Sequence, residues 1–167
     1  MSSVSVIIPA LDEEEPIAGV VRECFATGLP NEVIVVDNGS TDRTAERAHE
    51  AGAHVVTAPR GYGLACAAGL RALSPKCDIV VFLDGDGSDV PAFMNELIEP
   101  IARDTHDFVI GSRTRVRIHA EPSPRARLLR VRVRLCDRCC RYRLQLLRPA
   151  IQSRDIHARH RRLVPLR

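Results

Sequence analysis

The sequence predicts an α/β fold, an open and mostly parallel sheet flanked by helices. Three observations carry that expectation. Short apolar runs of strand length alternate with segments whose apolar residues repeat at helical spacing, the connections are short, and several runs end on an aspartate. In such sheets ligands bind at the carboxyl ends of the strands, so functional residues are sought there.

Val4 to Pro9 is the first strand. An acidic loop leads from it into a helix whose apolar face is Ile17, Val20, Val21, Cys24 and Phe25. Glu32 to Asp37 is the second strand, and the turn Asn38-Gly39-Ser40-Thr41-Asp42 offers good N-cap residues. A helix over 41–51 follows, closed by Gly52. His54 to Thr57 is a short third strand, after which Pro59-Arg60-Gly61-Tyr62-Gly63 leads into a helix from Leu64 to Leu73. Its Ala65, Ala67, Ala68 and Gly69 allow close packing. Ile79 to Leu83 is five apolar residues in a row, the pattern of a central strand covered on both faces. Pro91 suits the first turn of a helix that presents Met94, Leu97, Ile98 and Ile101 on one side. Phe108 to Gly111 is predicted as a fifth strand, ending at Ser112-Arg113.

At 167 residues the chain fits one domain with a real core. It has no apolar run of about eighteen residues and no basic, apolar leader, so a cytoplasmic protein is expected, at most peripheral at the inner face of a membrane. The net charge of +3 conceals a division. Residues 1–113 hold 8 basic and 18 acidic groups, whereas residues 114–167 hold 16 arginines, no lysine, 3 acidic groups and no glycine. The chain is therefore read as a domain over 1–113 and an arginine-rich tail over 114–167 in which little order is expected. Without an export signal the six cysteines are expected as thiols.

Asp84 and Asp86, one glycine apart where the fourth strand leaves the sheet, suggest ligands for a hard cation. Gly85 and Gly87 let the backbone turn there and let a ligand approach. A lone D-x-D is equally the pattern of a solvated turn, so its surroundings must decide. The loop after the first strand has no glycine, which argues against a P-loop or a dinucleotide fingerprint. Its three consecutive glutamates would repel phosphates, so a phosphate-bearing ligand needs a cation from elsewhere. Gly61-x-Gly63 follows the third strand with Asp37 before it, the wrong order for a dinucleotide site.

Four motifs then occur together: Val6-Ile7-Ile8-Pro9-Ala10-Leu11-Asp12-Glu13-Glu14, Val35-Val36-Asp37-Asn38-Gly39-Ser40-Thr41-Asp42-Arg43-Thr44, Arg60-Gly61-Tyr62-Gly63 and Leu83-Asp84-Gly85-Asp86-Gly87-Ser88-Asp89. With Gly111-Ser112-Arg113 at the end, this order resembles family 2 glycosyltransferases, most closely the dolichyl-phosphate mannose and glucose synthases, over residues 4–113. The resemblance implies a GT-A fold. It also implies an inverting, metal-assisted transfer from a UDP- or GDP-sugar to a polyprenyl phosphate, in cell-envelope or glycan biosynthesis. Pro9, Ala10, Leu11, Asp12, Glu13 and Asp37 would hold base and ribose, with Arg60 and Gly61 beside the nucleotide and Asp84 and Gly85 against the donor. Asp84 and Asp86 would bind Mg²⁺ or Mn²⁺, and Arg113 would face the diphosphate or an acceptor phosphate. Asp84, Asp86 and Arg113 are thus the expected catalytic set. Ser88 stands where many relatives have a glutamine that helps hold the metal. The chemistry is coherent, because a divalent ion on carboxylates bridges diphosphate oxygens and an arginine clamps an anion. The different-class alternative is a nucleotide-sugar-binding domain without catalysis.

After Thr114 the family pattern is read as stopping. A reading-frame shift in a GC-rich gene would produce such arginine-heavy sequence. Cys136-x-x-Cys139 with His157-x-x-His160 fits zinc-finger spacing poorly. The arginines would attract anionic lipid or nucleic acid without specificity, and no pattern of interleaved aromatics, beyond the single Tyr142, is there to stack on bases, so no specific nucleic-acid partner is expected. Leu128 to Leu135 alternates like a half-buried strand.

Overall fold

The computed structural model describes residues 2–111 and the strand Arg130–Arg134. The order is β1 (Val4–Ala10), α1 (Ile17–Ala26), β2 (Glu32–Asp37), α2 (Thr44–Glu50), β3 (His54–Thr57), α3 (Tyr62–Ala72), β4 (Ile79–Phe82), a single 3₁₀ turn (Pro91–Phe93), α4 (Met94–Ala102) and β5 (Arg130–Arg134). The sheet runs β3-β2-β1-β4-β5, with the first four strands parallel and β5 antiparallel to β4. This is the expected open α/β sheet.

β1 lies at the centre and every residue of it is buried. Alternate residues feed two cores. Val4, Val6 and Ile8 join Val33, Val35, Ile79 and Val81 under α1 and α4, while Ile7 joins Ile34, Val36 and Val80 under α3. Covering both faces is what near-continuous Val/Ile strands require. Ile17, Val20, Val21 and Cys24 form the buried stripe of α1 as the spacing predicts, but Phe25 is 37% exposed. It falls at the edge of the stripe and covers Gly52 instead, 3.7 Å from where a side chain there would begin. Among the described residues the cysteines Cys24, Cys66 and Cys77 are free thiols, and no helix is long and apolar enough to cross a membrane.

Two boundaries and one strand differ from the sequence reading. α2 starts at Thr44 rather than residue 41, because the Asp42 carboxylate accepts the Thr44 N–H at 2.9 Å and holds 42–44 in a turn ahead of the helix. α3 starts at Tyr62 rather than Leu64, as soon as the chain leaves Gly61 at φ 136°. Phe108 to Gly111 is not a strand. Only Val109 of that run reaches the core, Ile110 is half exposed, and the place beside β4 belongs to β5. β5 lies inside the alternating stretch Leu128 to Leu135.

Gly69 shows how tightly α3 sits on the sheet. A methyl group there would come 2.5 Å from Ile7 Cγ2 and 3.2 Å from Val36 Cγ2. Gly69→Ala should therefore destabilise the fold by about 1–3 kcal/mol despite the better helix propensity of alanine. Urea unfolding measures this, and an unchanged or raised midpoint would contradict the packing.

Candidate functional site

The strand order reverses at β1: β2 and β3 follow on one side, and β4 lies on the other. The crevice beyond the carboxyl ends of β1 and β4 is thus the topological switch point, where ligands bind in open α/β sheets. Leu83 N–H donates to Ile7 C=O at 3.1 Å, carrying the β1–β4 association one residue past the strand. The chain then turns over the end of β1. Gly85 is buried there, and a Cβ on it would stand 3.2 Å from Ala10 Cβ and 3.4 Å from the Pro9 carbonyl oxygen. A side chain there would be tight against both, so glycine lets the turn lie this close without displacing them.

The turn is held by its own carboxylates. Asp84 N–H donates to Asp89 Oδ2 at 3.0 Å, and Ser88 N–H donates to Asp86 Oδ1 at 2.8 Å. Asp89 is buried, Asp84 half-buried and Asp86 exposed. The D-x-D pair therefore projects at the switch point from a closed loop rather than from a floppy turn. Among the described residues no three His, Cys, Asp or Glu side chains converge into a closed cation site. Asp84 and Asp86 are an open pair.

The loops after β1 and β2 are laced together. Asp12, in the left-handed region at φ 54°, donates its N–H to Ser40 Oγ at 3.1 Å and accepts the Thr41 N–H on Oδ1 at 2.7 Å. Glu13 N–H donates to Thr44 Oγ1 at 2.8 Å, and Glu14 N–H to Asp42 Oδ2 at 3.1 Å. In return Arg43 N–H donates to Glu14 Oε2, and Arg47 lies 3.5 Å from Glu14 Oε1. Three successive amides of an acidic loop are thus satisfied by side chains of its neighbour.

Electrostatics follows from this crowding. Burial first, then the charges of Asp86, Asp42, Asp84 and Asp12, raise the Glu13 carboxyl above its ordinary range. Glu13 therefore shares the switch point with the D-x-D pair. Asp37 is half-buried at the end of β2, its Oδ1 accepting the Ser40 N–H at 3.0 Å. Arg60 is exposed and reaches within 4.0 Å of Asp12 Oδ2. Burial pushes the Cys66 thiol on α3 up to about 11, opposed by a hydrogen bond from Tyr62 and reinforced by the charge of Asp84. Asn38 Oδ1 and Ser88 Oγ are buried without a hydrogen-bond partner.

The structure places Pro9, Ala10, Leu11, Asp12, Glu13, Asp37, Arg60, Gly61, Asp84, Gly85 and Asp86 at or just beyond the carboxyl edge of the sheet. The Glu13 carboxyl lies within reach of the charges of Asp84 and Asp86, and Pro9 and Ala10 form the floor under Gly85. Pro9 and Ala10 are themselves buried in β1, paired with Val36 and Asp37. Arg113, Cys136, Cys139, His157 and His160 lie outside the described residues. Sequence reasoning assigned no role to Thr44, Asp89 or Cys66. An Asp-x-Thr pattern before a helix is a capping signal that points to Thr44, whereas nothing local marks Cys66 as a neighbour of Asp84.

A family model, Glycosyl transferase family 2, matches residues 5–158. The chain belongs to that family. The match runs on past Thr114 into the arginine-rich segment. Glycosyltransferase AglJ of Haloferax volcanii is 34% identical over 137 residues, 81% of this chain and 43% of the relative. Glucosyl-3-phosphoglycerate synthase of Mycolicibacterium paratuberculosis is 40% identical over 111 residues, 59% of this chain and 33% of the relative. The crystal structure of the Mycobacterium tuberculosis glucosyl-3-phosphoglycerate synthase with Mn²⁺, UDP-glucose and phosphoglyceric acid superposes with a TM-score of 0.58 at 34% identity, covering 65% of this chain and 43% of that one. The same enzyme is also solved with Mg²⁺ and UDP. This family 2 chain spans under half the length of these relatives.

The laced loops make a pH prediction. The Thr44 hydroxyl first, then the Thr44 and Glu14 amides, hold the Asp42 carboxylate below its ordinary range. A lowered folded value means stabilisation that is complete above the ordinary carboxylate pKa and lost as the pH falls through the lowered value. The stability gap between wild type and Asp42→Asn, present at about pH 6, should therefore close below about pH 4. Urea midpoints across the acid range measure it.

Proposed function

We propose that residues 1–113 form the donor-binding half of a metal-assisted, inverting glycosyltransferase that takes a UDP-sugar. One observation carries the reading: the D-x-D pair, with Glu13 beside it, stands at the switch point of a sheet that matches an enzyme solved with Mn²⁺ and UDP-glucose. In this reading Asp37 and the loop from Pro9 to Glu13 meet base and ribose, and Arg60 and Gly61 flank the nucleotide. Asp84 and Asp86 would hold Mg²⁺ or Mn²⁺. The fit is sound, because hard carboxylate oxygens suit either ion, and an open pair leaves positions for diphosphate oxygens. Ser88, buried with an unpartnered hydroxyl, stands at the same turn. Once bound, the ion neutralises charge developing on the diphosphate leaving group.

The protein side of that chemistry is arrangement. The closed Asp84–Asp89 loop fixes the two carboxylates, and the laced loops fix the nucleotide pocket, so little ordering is needed on binding. The acidic edge disfavours a bare diphosphate and favours one carrying a divalent ion, which gives the site its metal dependence. Arg113 remains the proposed contact to the diphosphate or to an acceptor phosphate.

For the acceptor, we infer a phosphate-bearing anion. The dolichyl-phosphate synthase resemblance favours a polyprenyl phosphate, in which case the protein works against a membrane surface. The phosphoglyceric acid in the relative's complex favours a small phosphorylated acid. Either is ionised near neutral pH, so no strong general base is required.

Asp86→Ala should abolish Mn²⁺-dependent binding of UDP-glucose, at least ~100-fold by calorimetry, with urea stability lowered by only about 0.5–1.5 kcal/mol through loss of the Ser88 N–H bond. A variant that binds UDP-glucose in the presence of Mn²⁺ as tightly as the wild type, and loses that affinity without the ion as the wild type does, would contradict the assignment. Offering polyprenyl phosphate and 3-phosphoglycerate separately with labelled UDP-glucose then separates the acceptors, and donor binding without any labelled product supports the non-catalytic reading.

A further inference from the structure

We propose that Thr44, remote from the D-x-D pair in sequence, is a positioning residue for the donor site. The inference rests on the donor-binding reading above and deepens it. Thr44 is fully buried at the first turn of α2. Its hydroxyl donates to Asp42 Oδ1, which also accepts the Thr44 N–H at 2.9 Å, so the hydroxyl proton is committed and its lone pairs face outward. The Glu13 N–H donates into one of them at 2.8 Å. Asp42 Oδ2 takes the next amide, that of Glu14, at 3.1 Å.

The Asp42–Thr44 pair thus presents two oxygens spaced to receive two successive amides of the β1–α1 loop. This decides where the loop after β1 can run. Glu13 has its main chain pinned by Thr44 and its carboxyl among the charges of Asp84 and Asp86. Asp12 is pinned on the same side by Ser40 and Thr41. Like charges at the edge of a sheet repel, and without the pins Glu13 would swing away from Asp84 and Asp86 toward solvent. The hydroxyl of Thr44 therefore holds the Glu13 main chain, and with it the course of the loop beside the donor site, against that repulsion. Preorganisation of this kind raises affinity by removing an ordering cost from the binding step.

Thr44→Val keeps the shape and removes the hydroxyl, whereas Thr44→Ser keeps the hydroxyl. UDP with Mn²⁺ is titrated into wild type and both variants of the full chain by calorimetry. Amide exchange of Glu13 is followed by NMR beside that of Val6 and Ile8 in the strand. The expected result is that Thr44→Val weakens UDP–Mn²⁺ binding about tenfold and speeds Glu13 exchange with the β1 amides still protected, and that Thr44→Ser restores both to within about twofold. Uniformly faster exchange of the β1 amides in Thr44→Val would instead mark a structural residue and overturn the proposal. So would unchanged affinity in a folded Thr44→Val. Failure of the wild type to bind UDP with Mn²⁺ would overturn the donor-site reading itself, a result distinct from either.

Discussion

The parallel pairing of β1 with β2 on one side and β4 on the other is the constraint from which the rest follows. It buries the whole of β1, divides its side chains between two cores, and forces the loops after β1 and β4 to share one crevice. Those loops meet closely because Gly85 has no side chain to press on Ala10 Cβ and the Pro9 carbonyl. A fold-level necessity, covering an apolar central strand, thereby places an acidic turn beside an acidic loop.

That placement is electrostatically unfavourable in isolation. Glu13 shows the cost as a raised carboxyl value, caused by burial and by the charges of Asp86, Asp42, Asp84 and Asp12. Arg60 near Asp12 and Arg47 near Glu14 offset part of it. Strain of this kind is retained where a ligand relieves it. A divalent ion carried on a diphosphate would do so, and the hydrogen-bonded loops keep the carboxylates from relaxing apart beforehand.

Most of the fold was legible because the Val/Ile runs are short, bounded by turn residues and alternate with helical spacing. The carboxyl-edge location of Asp12, Asp37, Asp84 and Asp86 followed from the same pattern. Phe108 to Gly111 misled because four consecutive small or apolar residues fit a strand as well as they fit a loop anchored by one residue, Val109. Period alone cannot separate the two. The beginning of α2 shifted because the Asp42 side chain, bonded to the Thr44 N–H, keeps the preceding residues in a turn. Tertiary contacts supplied what local spacing lacks: the approach of Cys66 to Asp84, the closure by Asp89, and the exchange of amides between two loops that lie about thirty residues apart in the chain.

In the proposed reading Asp84 and Asp86 would hold the ion weakly by themselves, and the diphosphate would strengthen its binding. Electron paramagnetic resonance of free Mn²⁺, titrated with the full chain in the absence and presence of saturating UDP, measures this directly. The account predicts weak binding of the ion alone and an affinity raised about tenfold or more by UDP, with the reciprocal gain for UDP in the presence of Mn²⁺. The same Mn²⁺ affinity with and without the nucleotide would contradict it.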